Sequence, residues 1–269
     1  MPPAKQRTRS YDPAKIRAAV LTQFGHVRDG VRGLSPAQLA LPTRLGQWTV
    51  RDLTAHIAMT VASVSRALER EAPQKPGLAL LDHAFRAAGY VDADAEGSRD
   101  LAEATPDLAA FCARTEEELT ELLAAAPDGR LIDTRAGAVS LTDCLVTRTV
   151  ELAVHTDDLN AAVPNLDLPI ERQALAACTR LLADALAVKA PGGSTEVRIP
   201  PYAVVQCVAG PRHTRGTPPN VVETDPLTWV RLATGRLDWA TALDGAKLSA
   251  GGERADLSGL LPLMGFCCP

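Results

Sequence analysis

The sequence predicts an α+β protein: a four-helix bundle followed by a small α/β domain. Alanine and leucine dominate the first two thirds of the 269 residues, a composition that favours helix. Apolar residues recur there at spacings of three and four, as on one side of an amphipathic helix. After "VPNLDLP" the pattern changes to short alternating apolar runs divided by proline and glycine turns. The expected organisation is a solvated, disordered basic tail over residues 1–11, a bundle over 12–165 and an α+β unit over 166–269.

The first helix starts at Asp12-Pro13, an N-cap followed by proline at the first helical position. Ile16, Val20, Phe24, Val27 and Val31 mark its apolar side. "LSPAQL" opens a short turn of helix at Ser35. "GQWTVRDL" begins the second long helix, with Thr49 as cap and Asp52 three residues on. Its stripe is Val50, Leu53, Ile57, Val61, Val64 and Leu68. A short helix is expected near Leu78 to Ala88, and the acidic run "VDADAEGSRD" after it reads as loop. Thr105-Pro106 starts a third long helix that Pro127-Asp128-Gly129 ends. A fourth runs from near Ser140 to before Pro164. In the second unit a helix spans about Glu171 to Lys189. Strands follow at "TEVRI", "YAVVQCV" and "NVVET", then a helix at "DPLTWVRLATG", a strand at "AKLSA", a Gly251-Gly252 turn and a final helix at "RADLSGLLPL".

Composition excludes several function classes. The formal net charge is −4 and aromatics make up 4% of the chain, so no basic, stacking surface for nucleic acid is expected. Lys5, Arg7 and Arg9 make only a short tail. No apolar run follows them as in a signal peptide, and none approaches the ~20 residues of a membrane span. A soluble, cytoplasmic protein is the expectation. Cys112, Cys144, Cys178 and Cys207 lie scattered within apolar runs, as buried thiols do. Cys267 and Cys268 read as an exposed end. Neither glycine pair is followed by the residues of a phosphate loop.

The chemistry-bearing stretch is "RTVELAVHTDDL", residues 148–159. Leu141, Leu145, Leu152 and Leu159 form the seam of the fourth helix, yet Arg148 and His155 occupy seam positions with Glu151 beside them. Burying such groups is costly unless each has a partner. Glu151 and His155, four apart, sit one turn apart on one side of a helix. His56, next to the Leu53 and Ile57 seam of the second helix, is the candidate third ligand. A His–Glu–His set suits zinc or a similar divalent ion and leaves a coordination position open. Asp158 is placed to orient His155 from outside the ligand set, and Arg148 to anchor an anion. The competing reading is an exposed Glu–His pair of no special role. His26, His83 and His213 have no comparable company.

These residues resemble a family. "GQWTVRDLTAHI" and "RTVELAVHTDDL" are similar to the metal-binding bundle of mycothiol-dependent maleylpyruvate isomerases, within the wider DinB-like group. The resemblance covers roughly the first 165 residues and implies His56, Glu151 and His155 as metal ligands. The second half resembles sterol-carrier-like domains through its Asp-Pro-Leu helix start, Gly235 and the Gly252 turn, although it reads "LSAGGERADLSGLL" where serine is usual before the second glycine. The loop "PRHTRGTPPN" offers Arg212 and Arg215 as holders of a carboxylated substrate; a plain charged loop is the alternative.

The resemblance implies an enzyme that uses a divalent metal, zinc by donor type, and the small thiol mycothiol as cosubstrate. It would be of isomerase or transferase type, acting on a small-molecule substrate, with Arg148, Arg212 or Arg215 stabilising developing negative charge. The alternative is a carrier whose C-terminal domain holds a lipid or other apolar ligand. A thiol-sensing regulator is a third reading.

Overall fold

The computed structural model describes residues 9–87, 89, 91–210 and 219–263. Four long helices make the first unit: α1 (Pro13–Arg32), α3 (Val50–Leu68), α6 (Leu108–Ala125) and α7 (Leu141–Ala162), with the short α2 (Pro36–Leu39) in the first connection. Their starts follow the expected capping chemistry. Asp12 accepts from Lys15 N, and Thr49 and Asp52 form a reciprocal capping box at α3. The second unit holds α8 (Arg172–Lys189), β3 (Thr195–Ile199), β4 (Ala203–Cys207), β5 (Val221–Thr224), α9 (Pro226–Ala233), α10 (Trp239–Asp244) and β6 (Leu248–Gly251). Its sheet has the order β4-β3-β5-β6, with β3 and β5 parallel and the other pairs antiparallel. On β3, Thr195, Val197 and Ile199 are buried and the residues between them are not, the alternation the sequence displays. Gly252 (φ 108°) turns the chain after β6, where an added Cβ would lie 2.2 Å from the Pro219 carbonyl oxygen, so no other residue fits there.

One core runs through both units, from Phe24 and Leu53 through Leu152 and Leu182 to Val197 and Trp229. Helix α7 lies at its centre and packs against α1, α3 and α8. It is therefore buried all round rather than along one stripe. Its threonines return their hydroxyls to the helix backbone, as Thr147 does to Cys144 O and Thr156 to Leu152 O, so their burial leaves no hydroxyl unsatisfied.

Several expectations are corrected. The run "VDADAEGSRD" is not a loop but belongs to α5 (Val91–Ala104), preceded by α4 (Leu80–Ala87). Leu101 and Ala102 pack with Ala55 and Leu108 while Glu96, Asp100 and Glu103 face solvent, so α5 is amphipathic against α3. "LIDTRAGAVS" forms a hairpin, β1 (Leu131–Thr134) and β2 (Gly137–Ser140), that the sequence reading passes over. The final helix at "RADLSGLLPL" is a single 3₁₀ turn, Ser258–Leu260. Pro262 cannot continue a helix, and the Asp256 carboxylate takes the Ser258 N–H instead. Residues 9–11 are not solvated tail: Arg9 pairs with Asp184 at 2.9 Å and the Tyr11 hydroxyl is buried. Lys5, Arg7, Cys267 and Cys268 lie outside the described residues. No described helix is long and apolar enough to cross a membrane.

Candidate metal centre and its pocket

The connection between α2 and α3 is built to bring three side chains inward. Thr43 N and Oγ1 both donate to Trp48 O at 2.8 Å, and Val50 N donates to Leu41 O. Gly46 has φ 58°, a conformation that glycine adopts without steric cost. The resulting tight loop buries Leu45 and Trp48 and sends Arg44 across to α7. Trp48 then packs against the His56 ring, 5.1 Å between centroids.

His56, Glu151 and His155 converge. One potential ligand atom from each lies within 4.8 Å of the others. Glu151 Oε2 sits 3.2 Å from His155 Nε2 and 3.7 Å from His56 Nε2. The two imidazoles meet edge to face, 5.0 Å between centroids. Both are buried, at 3% and 0% exposure. Each engages its other nitrogen outside the cluster: His56 Nδ1 with Ser98 Oγ at 3.1 Å, His155 Nδ1 with Asp158 Oδ2 at 2.9 Å. Both Nε2 atoms are thereby directed at Glu151. Glu151 Oε2 is itself buried without a well-formed hydrogen bond. Burial favours a protonated Glu151, but the approach of His155 and His56 and the charge of Arg148 outweigh it and hold the carboxyl well below its ordinary range.

Two nitrogen donors and one ionised oxygen, desolvated and mutually repulsive where lone pairs face, match in type the donors that hold a divalent ion through three ligands. A buried carboxylate oxygen without a proper donor is an unfavourable arrangement that a cation at the same point would relieve.

The centre opens to a cavity of about 280 Å³. His56 and Glu151 line its inner end, with Thr60, Cys144 and Arg148 beside them. Its other walls come from the end of α3, from α4 and from the β1–β2 hairpin. Among the described residues Arg66, Arg70, Arg135 and Arg148 line it, against the single further acid Asp133. Among the described residues Arg66, Arg70 and Arg148 form no ion pair, and Arg148 Nε is buried without a hydrogen bond. The pocket is therefore electropositive and suits an anion.

His83, passed over in the sequence, also lines this pocket. Thr134 Oγ1 donates its proton to Gly137 O, so it can only accept from His83 Nε2, 3.0 Å away. That fixes the proton on Nε2 and leaves Nδ1 an acceptor. Burial, and then the Arg148 charge, push the His83 pKa down to about 4. Arg212, His213 and Arg215 lie outside the described residues. The described cations around the cavity come from the first unit.

Behind the centre, Asp158 and its neighbour Asp157 are locked by three arginines. Arg44 Nε reaches Asp158 at 2.5 Å and its Nη2 reaches Asp157 at 2.6 Å. From the second unit, Arg231 binds Asp157 through Nε and Nη2, and Arg236 binds Asp158 at 3.0 Å. Burial acts to raise both acids, but Arg231 and Arg44 hold Asp157, and His155 and then Arg236 hold Asp158, below the usual carboxylate range. The sequence reading gives Asp158 only as a partner of His155 and passes over Asp157; two adjacent acids within an apolar helix are the signal that could have pointed to cationic partners, though not to these arginines.

Comparisons with known proteins cover both units. The family model for the mycothiol maleylpyruvate isomerase N-terminal domain matches residues 20–160, and that for the bacterial SCP ortholog matches residues 171–263. Two solved structures, of mycothiol-dependent maleylpyruvate isomerase and of a histidine-to-alanine mutant of it, align over 91% of this chain and 95% of theirs. Both superpose with a TM-score of 0.59 at 16% identity. At that identity the likeness establishes a shared fold. No curated protein matches the chain.

Proposed function

The chain belongs to the mycothiol maleylpyruvate isomerase N-terminal domain family, and from that premise we propose that it is a divalent-metal-dependent enzyme using a small thiol, mycothiol, on an anionic small-molecule substrate. The reaction is of isomerase or transferase type. The observation that carries this reading is the convergence of His56, Glu151 and His155 at the inner end of an arginine-lined cavity.

In this reading the three residues hold the metal, with zinc the ion their donor types suit best. A divalent ion there supplies positive charge that favours the thiolate form of a thiol at neutral pH. The remaining chemistry belongs to the chain. Asp158 and Ser98 orient the two imidazoles so that each Nε2 keeps its lone pair toward the centre. Arg148, whose Nε is buried at the cavity wall, binds a substrate carboxylate and opposes the negative charge that develops when a thiol adds to a conjugated double bond. Arg66 and Arg70 draw the anion in from the exposed rim. His83, neutral at physiological pH, offers Nδ1 to a hydroxyl or protonated carboxyl of the ligand.

The alternative, a carrier of apolar ligands, finds less support. The cleft beside β5 and β6 mixes Pro200, Ala246 and Leu248 with Glu223, Thr224, Asp225, Lys247 and Ser249, and Val197, Ile199, Leu182 and Trp229 fill the interior behind the sheet.

Metal content of the purified protein by mass spectrometry, beside His56→Ala and His155→Ala variants, tests the centre. One divalent ion per chain, lost in both variants, is expected. The wild type is then assayed for mycothiol-dependent turnover of unsaturated dicarboxylates. A metal-free wild type after reconstitution with zinc would refute the reading.

A further inference from the structure

We infer that the C-terminal domain is part of the metal centre: Arg236 is a positioning residue that fixes the ligand His155 through Asp158. The inference rests on the reading of His56, Glu151 and His155 as metal ligands. Arg236 follows α9, in sequence far from α7, and its side chain is 6% exposed. It donates through Nη2 to Asp158 Oδ2 at 3.0 Å and through Nε to Oδ1 at 3.3 Å, while its Nη1 donates to Thr234 O at 2.9 Å. That backbone anchor and the planar fork leave the guanidinium one orientation.

Asp158 is 0% exposed. Its Oδ1 accepts from Arg44 Nε and Arg236 Nε, and its Oδ2 from His155 Nδ1 and Arg236 Nη2. A carboxylate has about four acceptor positions, and all four are taken. The carboxylate cannot rotate without breaking a charged hydrogen bond, so the His155 ring it holds cannot rotate either. The proton stays on Nδ1 and the Nε2 lone pair faces Glu151. Removal of the fork from Arg236 frees Asp158 to swing toward Arg44 and lets the ring tilt. Outer partners of this kind typically set ~10–100-fold of metal affinity.

Arg231 makes the control. It crosses between the same two units and binds an aspartate on the same helix, but that aspartate is Asp157, for which no contact with His155 is seen among the described residues. Arg231 and Arg236 thus share the docking role and differ in access to the ligand.

The test is cobalt binding to metal-stripped full-length protein, read by the visible absorption bands of the bound ion, with zinc competition for affinity and thermal unfolding alongside. Arg236→Gln is expected to weaken cobalt binding at least tenfold and to shift the bands. Arg231→Gln is expected to stay within about twofold of wild type with an unshifted spectrum, even where it lowers the melting temperature as much. If Arg236→Gln does not fold, Arg236→Lys decides, since it keeps the charge and loses the fork; a loss of threefold or more is expected. Wild-type affinity and spectrum in the decisive Arg236 variant overturn the inference, as does an equal loss in Arg231→Gln, which would reduce both arginines to docking contacts. A wild type that binds no cobalt or zinc refutes the metal reading and this inference with it. A wild type that binds normally beside an unaffected Arg236 variant overturns the positioning role alone.

Discussion

Helix α7 meets charge on two sides, and the sides are treated in opposite ways. Toward the second unit, Asp157 and Asp158 are matched by Arg44, Arg231 and Arg236 in short, largely buried contacts. Toward the cavity, among the described residues, Arg148 Nε is buried without a hydrogen bond and Arg66 and Arg70 form no ion pair. The residue types are the same. Paired charges fill space and hold the two units together. Unpaired charges around a cavity keep their binding capacity for a ligand. The His56–Glu151–His155 cluster lies between the two, its His155 steadied from the paired side and its Glu151 opening to the unpaired one.

The sharpest way to break this comparison is to remove a carboxylate from the paired side. Asp158→Asn leaves Arg44 and Arg236 facing a neutral group in a buried site, and loss of one partner in such a network typically costs ~3–5 kcal/mol. Urea unfolding followed by circular dichroism is expected to show a loss of that size. A loss below ~1 kcal/mol would mean that the arginines are as solvent-reconciled as those at the cavity.

The second effect is a pH dependence on the cavity side. His83 titrates near 6.5 when unfolded and at about 4 in the fold, because burial and then Arg148 oppose its charged form. Between those values the unfolded chain binds a proton that the native chain does not. Stability therefore falls as pH drops from about 6.5 to about 4 and is unaffected by this group above that window. The full difference corresponds to ~3 kcal/mol. His83→Gln is expected to remove that slope from the stability–pH curve. An unchanged slope in the variant would assign the acid sensitivity to other groups.

Much of this was legible in the sequence, for identifiable reasons. Capping residues and apolar spacing located α1, α3 and α7, because those signals are local. Arg148, Glu151 and His155 stood out because they break a leucine seam, and His56 because it follows a capped helix start on its apolar side. The remaining features depend on contacts far apart in the chain. Helix α5 is held by α3 rather than by its own acidic sequence, and the β1–β2 hairpin is short enough to pass as connection. His83 reaches the cavity only because that hairpin gives it Thr134. Arg66 and Arg70 lie at the end of a helix, and only α4 and the hairpin make them cavity residues. The partners of Asp157 and Asp158 come from separate segments, around Arg44 and around Arg231 and Arg236, which no local pattern links to α7.

A smaller effect is expected from the inner cation of the cavity. Arg148→Gln removes a charged hydrogen bond to a bound carboxylate, worth ~2 kcal/mol, or about 30-fold in affinity. Calorimetric titration with maleate as a probe measures it on the zinc-loaded protein. Stability is expected to change little, since Arg148 forms no ion pair among the described residues and the lost charge beside Glu151 is opposed by relief of the charge beside His83. Unchanged maleate affinity would move the anion contact elsewhere in the pocket.

The smallest effect separates the two sides by salt. Arg66 and Arg70 are exposed at the rim, where ions screen them over ~8 Å at physiological strength. Arg66→Gln and Arg70→Gln are each expected to weaken maleate binding by only two- to fivefold and to flatten its dependence on salt concentration. The paired side behaves otherwise, because Asp158 and Arg236 are out of reach of mobile ions. The stability difference between wild type and Asp158→Asn is therefore expected to hold across the same salt series that weakens maleate binding. If both quantities fall together as salt rises, the arginines behind the centre are screened like those at its mouth, and the contrast between filled and waiting charge on α7 does not exist.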